Sequence, residues 1–281
     1  MGTMHPKAGG WKKTMNNLPK RGFVYIGVNE GMLDETRKSA ESLKEHHRDA
    51  HVTFFTDNPV EASKLSCFDN VIRIPSRTSI PVLKDKKHYP DQGIIAKTYY
   101  MSKSPYRYTL FLDGDVLFCD NVLDLFELLE DGNFDMAFAN DEAHVSGKKY
   151  YDDVPECFTK PNLGVVLFRR NITTNKFFKI WWNTFHELVL SGIGNPDEAT
   201  FVKAMWDCKS LKYATLPSEY NCRFIFPYIV RGKVKIFHGR NDKLDKIAIH
   251  VNKFTNTYRV GFDEKIIAVH KPITGFKIIN K

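Results

Sequence analysis

A chain of 281 residues with 42% hydrophobic and 13% aromatic content can bury one large core or two small ones, which excludes a disordered or fibrous protein. The net charge of +8 suits an anionic ligand such as a nucleotide. The Lys and Arg residues are dispersed, however, with only small clusters such as Lys84-Asp-Lys-Lys87, as on an ordinary solvated surface, and nucleic acid is not expected as a partner. The five cysteines, Cys67, Cys119, Cys157, Cys208 and Cys222, are odd in number and far apart, so neither a disulfide framework nor a structural zinc site is indicated. No apolar core of signal-peptide length opens the chain, Pro6 stands where a myristoylation motif wants Ser or Thr, and the most apolar runs are strand length. A cytoplasmic protein without a membrane span is therefore expected.

In chain order, residues 1–21 are polar and without periodicity and read as a flexible tail, which leaves 22–281 as one domain. Phe23-Val-Tyr-Ile-Gly-Val28 predicts a buried strand. A polar turn, Asn29-Glu-Gly31, leads into an amphipathic helix from Met32 to His47, and His51-Val-Thr-Phe-Phe-Thr56 predicts a second strand, completing a βαβ unit. A short strand over 71–74, a proline-bearing loop to Pro90 and a helix over 93–102 follow. Next comes an apolar strand, Tyr108-Thr-Leu-Phe-Leu-Asp-Gly-Asp-Val-Leu-Phe118. Beyond it the pattern predicts a helix over 122–130, strands over 135–139 and 163–168, and an aromatic-rich helix over 175–190, in which Trp181 and Trp182 read as core or interface anchors. Asn195-Pro-Asp-Glu198 caps a helix running to Asp207, and the stretch from Lys233 reads as strand and loop. The whole is α/β, with a mostly parallel sheet and a mixed C-terminal part.

Side chains two apart on an extended segment share a face, so Asp113 and Asp115 can close on one hard cation, and Gly114 between them lets a phosphate approach. A two-residue hairpin turn carries the same Asp-Gly signal, and this stretch alone leaves both readings open. Open parallel sheets bind ligands beyond the carboxyl ends of their strands. Polar residues gather at three such ends: Gly27 to Asn29, Thr56-Asp57-Asn58, and Asp113-Gly114-Asp115.

These segments resemble the glycosyltransferases of the GT-A fold, and among them the glycogenin and galactinol-synthase-like group. The resemblance runs from about Phe23 to about Lys243. It rests on Tyr25-Ile-Gly-Val-Asn29, on Lys97 in the helix before the acidic strand, and on Leu112-Asp-Gly-Asp-Val116, which is similar to the D-x-D motif. Asn162-Leu-Gly-Val-Val-Leu-Phe168, Asn195-Pro-Asp-Glu-Ala-Thr-Phe201, Leu216-Pro-Ser-Glu-Tyr-Asn221 and Ile236-Phe-His-Gly-Arg240 then match in order. Two departures stand out: Arg240 is followed by Asn241-Asp-Lys-Leu244 where that group has Lys-Pro-Trp, and about forty further residues have no counterpart. In size the chain also resembles small glycosyltransferases encoded by large DNA viruses or bacteria.

The resemblance implies a Rossmann-like sheet whose donor-binding half spans about 22–118 and whose acceptor half spans about 119–281. It implies metal-dependent transfer of a sugar from a UDP-sugar such as UDP-glucose, UDP-galactose or UDP-xylose to a glycan or glycoprotein hydroxyl. Asp113, Asp115 and His238 would ligate the metal, a mixed oxygen and imidazole shell that suits Mn2+ or Mg2+. Gly27, Val28, Asn29, Asp57, Lys97, Asp113, Gly114, Gly239 and Arg240 would hold the donor, and Asn162, Asp197 and Glu198 would face the acceptor. His250 and His270 rival His238, but only His238 is followed by a glycine and a phosphate-pairing guanidinium. Asp197 also reads simply as a first-turn carboxylate favoured by the helix dipole. A sugar-phosphate nucleotidyltransferase is weaker, because Gly27-Val-Asn-Glu-Gly31 has no Lys or Arg to hold a triphosphate. A non-catalytic nucleotide-sugar binding module stays open.

Overall fold

Strand β1 (Arg21–Gly27) is apolar on both faces because it lies between two parallel neighbours, β2 (Val52–Thr56) and β4 (Tyr108–Leu112), with Phe23 opposite both Val52 and Leu110. A strand covered on each side by helices needs no polar alternation. The computed structural model describes residues 18–75, 92–141, 151–192, 196–263, 265–271 and 275–278. With β3 (Asn70–Arg73), β6 (Met136–Asn140), β7 (Pro161–Arg169) and β8 (Tyr213–Leu216), these strands form one seven-stranded sheet in the order β3-β2-β1-β4-β7-β6-β8. Only β7 runs against the rest, pairing antiparallel with β4 and β6, so the sheet is largely parallel as expected.

One face of the sheet buries Phe23, Tyr25, Phe54 and Leu112 under α1 (Glu30–His46) and α4 (Asp124–Glu130), through Ala40, Leu43 and Phe126. The other buries Val24, Phe55, Phe111 and Phe138 with α3 (Gln92–Tyr100), α5 (Ile172–Leu190) and α6 (Asp197–Asp207). A short helix, α2 (Pro59–Ala62), follows β2. Trp181 is fully buried against Phe177 and Phe201, and its indole N–H donates to the carbonyl of Asp197 at 3.1 Å. This expected core anchor therefore also fixes the first turn of α6. Truncating it to alanine would cost about 3–5 kcal/mol.

Three expectations change. The stretch from Tyr108 to Phe118 is not one strand: β4 ends at Leu112, and β5 (Val116–Phe118) leaves the sheet to pair antiparallel with β10 (Ile236–His238), His238 lying opposite Val116. It is not a hairpin either, because the strand after the turn pairs with a distant segment. The C-terminal stretch is not only strand and loop, since it contains α7 (Leu244–Asn252), whose Ile247, Ala248 and Val251 are buried between charged residues. Beside it stands an antiparallel sheet of β9 (Tyr228–Val230), β11 (Tyr258–Phe262), β12 (Lys265–Lys271) and β13 (Gly275–Ile278), in the order β13-β12-β11-β9. The expected proline-bearing loop and Asn195 lie outside the described residues.

Candidate active site

The Asp113-Gly114-Asp115 segment is a turn pinned at both ends. Asp113 N–H donates to the carbonyl of Gly164 on β7 at 2.8 Å, and Gly239 N–H donates to the carbonyl of Asp115 at 3.0 Å. The two carboxylates thus meet because a turn folds them together, rather than because they alternate along an extended strand. Asp113, Asp115 and His238 each offer one ligand atom, and these atoms lie within 4.8 Å of one another. His238 Nε2 is 3.5 Å from Asp115 Oδ1 and 3.8 Å from Asp113 Oδ2.

Which nitrogen of His238 carries the proton follows from a chain of buried hydrogen bonds. Gly164 N–H, an unambiguous donor, meets Asn162 Oδ1 at 3.0 Å. The Asn221 atom facing that same oxygen at 2.8 Å must then be its NH2, which turns Asn221 Oδ1 towards His238 Nδ1 at 2.9 Å. Nδ1 therefore donates, and Nε2 presents its lone pair to the two aspartates. Asn162, Asn221 and His238 are all nearly inaccessible to solvent. Acceptors that face one another repel unless a proton or a cation sits between them. Two carboxylates and one imidazole suit a divalent ion such as Mn2+ or Mg2+.

Two glycines make this packing possible. A Cβ on Gly164 would stand 2.0 Å from the His238 ring, so the histidine lies flat against bare backbone. A Cβ on Gly114 would meet Thr36 Oγ1 at 2.8 Å, so the approach of α1 is reason enough for that glycine.

These groups open into a cavity of about 500 Å3. Of the expected site residues, Val28, Asn29, Lys97, Asp113, Gly114, Asp115, Asn162, Asp197, Glu198, His238 and Arg240 line it, whereas Gly27, Asp57 and Gly239 are not part of its lining. Asp57 acts through Asn29, whose backbone N–H it accepts at 3.2 Å, bracing a residue held at a positive φ of 94°. Lys97 Nζ is ion-paired with Asp113 at 2.9 Å rather than waiting free for a phosphate. Arg240 is likewise engaged, reaching Glu35 on α1 at 2.7 Å. Among the rival histidines, His250 is exposed on α7, away from the cavity lining.

The electrostatics separate the acids. Burial works against ionisation of Asp115; a proton on His238 Nε2, together with the Arg240 guanidinium, outweighs it and holds the carboxyl down at about 2, and where Nε2 keeps its lone pair a cation between the two groups would play that part. Across the cavity, Asp197 is pushed up by burial and by Asp113, against the pull of Lys97. Glu198 is raised to about 7 by desolvation, by Asp197 and by Asp141; its own surface is open, yet the surrounding walls displace much of its water. Asn221, Gly164, Arg223 and Glu35 complete the site and were given no role from sequence. Asn221 and Gly164 lay inside matched segments, but nothing local marks a residue that acts on a histidine 17 positions away.

No protein-family profile and no curated protein sequence matches the chain. Solved structures do share its fold. Mouse xyloside xylosyltransferase 1, in its apo form, aligns with a TM-score of 0.52 at 13% identity, over 78% of this chain and 97% of that one. The galactosyltransferase LgtC, in complex with donor and acceptor sugar analogues, aligns with a TM-score of 0.52 at 15% identity, over 79% and 87%. The glycosyltransferase GlyE of Streptococcus pneumoniae TIGR4 aligns with a TM-score of 0.50 at 16% identity, over 80% and 56%. The chain therefore has the α/β fold of GT-A glycosyltransferases.

Proposed function

We propose that the protein is a metal-dependent glycosyltransferase that moves a sugar from a UDP-sugar to a hydroxyl of a glycan or glycoprotein. The observation that carries this reading is the meeting of Asp113, Asp115 and the tautomer-fixed His238 at one side of a cavity of about 500 Å3, with Asp197 and Glu198 on the other. That volume suits a ligand of nucleotide-sugar size. The shared fold with glycosyltransferases supports the same reading.

Glycosyl transfer develops positive charge at the anomeric carbon and negative charge on the departing diphosphate. A divalent ion held by Asp113, Asp115 and His238 supplies Lewis-acid stabilisation of that diphosphate. Lys97 and Arg240 bring cationic donors to the same side of the cavity. Asn29, braced by Asp57, and Val28 form the floor expected to receive the nucleoside. Asp197 and Glu198 face the acceptor, and a carboxyl held near 7 is matched to exchanging a proton with a hydroxyl at neutral pH. Asn162 lines this side too, but its oxygen is committed to Gly164 and Asn221, so only its amide NH2 face is left for an acceptor.

The test is release of free UDP from a panel of nucleotide sugars with Mn2+, with and without acceptor glycans. Asp115→Asn, a near-isosteric change at a turn, should keep the melting temperature within a few degrees and lose orders of magnitude in turnover. Full turnover from that variant, or in excess chelator, would refute the metal assignment. Binding of UDP-sugar without any turnover would instead favour a non-catalytic module.

A further inference from the structure

Charge is divided unevenly along the chain. Residues 228–281 carry twelve Lys and Arg against four Asp and Glu, whereas residues 1–227 carry twenty-nine of each. Locally dispersed as the basic residues are, the whole net charge of +8 thus belongs to the segment that contains β9 to β13 and α7. The sheet in this segment has two unlike faces. Tyr228, Val230, Ile266 and Val269 point inward and pack with Ile247 and Val251 of α7. The opposite face carries Ile229, Tyr258 and Phe262, which are 58%, 41% and 47% exposed. The strand pairing sets Ile229 beside Val260 and Phe262 beside Lys265, so these residues form one continuous patch. The Arg231 guanidinium lies over the Tyr258 ring, 5.3 Å from its centre, and Arg231 and Lys265 are both exposed.

We propose that this outer sheet face docks on a lipid bilayer containing anionic headgroups. The combination of chemistries selects the partner. Exposed aromatic and aliphatic side chains beside basic ones fit the bilayer interface, where rings and alkyl groups enter the headgroup region and Lys and Arg meet anionic lipid. A second copy of the chain seated on this face would set Arg231 and Lys265 against their own counterparts, which opposes dimerisation through this patch. An oligonucleotide answers the charge but leaves Ile229 and Phe262 without apolar cover. Attachment would be peripheral, because among the described residues no helix is long and apolar enough to cross a membrane. The patch uses none of the cavity residues, so it stands or falls independently of the proposed chemistry.

The experiment is co-sedimentation of the full chain with vesicles of phosphatidylcholine alone and of phosphatidylcholine with about 30% phosphatidylglycerol. At about 0.1 M salt the protein should pellet with the anionic vesicles, and partitioning should fall at least tenfold on neutral vesicles or at about 0.5 M salt. The paired change Arg231→Glu and Lys265→Glu should also lower it at least tenfold. Phe262→Ser with Ile229→Ser should weaken it while the melting temperature stays near that of the unaltered protein, since both side chains are exposed. Failure of the unaltered protein to pellet with anionic vesicles, or equal pelleting with neutral ones, overturns the proposal. Salt-sensitive dimerisation through the patch, or an oligonucleotide bound more tightly than the vesicles, would overturn it in favour of those partners.

Discussion

Replacing Asn221 by leucine tests whether the proton on His238 is really set from behind. Asn221 Oδ1 is the acceptor shown for Nδ1–H, and both residues are buried. In Asn221→Leu that N–H would be stranded, at a cost of about 1–3 kcal/mol. The ring can escape by moving its proton to Nε2, but that move removes the lone pair that faces Asp113 and Asp115. A metal ion must reverse it, so the same energy reappears as a weaker affinity, by about five- to hundredfold. Asn162 keeps its bond from Gly164 N–H, so the rest of the network should survive. Asn221→Asp makes the contrasting forecast. It keeps an oxygen towards Nδ1, which preserves the tautomer, while setting a second oxygen against Asn162 Oδ1. Affinity for Mn2+ should stay within a few fold, and the stability loss should fall on the Asn162 side. Calorimetric titration of the metal-free protein reads the affinity, and long-range nitrogen–proton NMR of the imidazole reads the tautomer, neither depending on turnover. A leucine variant that binds Mn2+ with unaltered affinity, or keeps its proton on Nδ1, would refute the reasoning.

Three other changes give direct readouts. Lys97→Met should tighten Mn2+ binding several-fold, because it removes a cation paired with a carboxylate proposed to ligate the metal, while weakening UDP binding about tenfold; calorimetry with each ligand separates the two, and unchanged values for both would show that Lys97 is a structural counter-ion only. Glu198 holds its proton more tightly folded than unfolded, so its stabilising share is complete below about pH 4.5 and is lost as pH rises through about 7. Glu198→Gln should therefore match the unaltered protein in thermal melts at low pH and exceed it by roughly 1 kcal/mol at pH 8, allowing for solvent screening at the open cavity mouth, and a constant difference across pH would contradict the shift. Asp197→Asn should leave UDP affinity intact while transfer to acceptor falls about a hundredfold or more, and normal transfer with a slightly shifted melt would return Asp197 to a purely helix-start role.

Much of the frame was legible because burial on both faces writes itself as uninterrupted apolar runs, as in Phe23 to Val28 and Tyr108 to Leu112. The strand ends were legible for the same reason, since polarity resumes where the sheet stops. What stayed hidden was pairing between distant segments. Nothing in Val116 to Phe118 says that it abandons the sheet for Ile236 to His238, although this crossing is what carries the histidine to the aspartates. The edge strand β8 is four residues long and half-exposed, too little for a periodic signal. Charge partners were hidden as well. Lys97 and Arg240 read as phosphate ligands because their lysine and guanidinium groups are the right chemistry, while their carboxylate partners lie 16 and 205 positions away.

Those partners tie the two walls of the cavity together. Lys97 lies within the fields of both Asp113 on one wall and Asp197 on the other. While Asp113 is an unshielded carboxylate, it raises the proton affinity of Asp197 directly and also claims Lys97 through their ion pair. A cation held at Asp113 and Asp115 cancels the first influence and frees Lys97 from the second. Both changes act in the same direction, lowering the proton affinity of Asp197 and, through it, that of Glu198, on which Asp197 is the largest charge acting. A cation at Asp113 and Asp115 should thus favour the ionised form of Asp197 and Glu198. With the donor at Asp113 and Asp115 and the acceptor at Asp197 and Glu198, as proposed above, binding at one wall would ready the other, with the part-buried Lys97 as the coupling element.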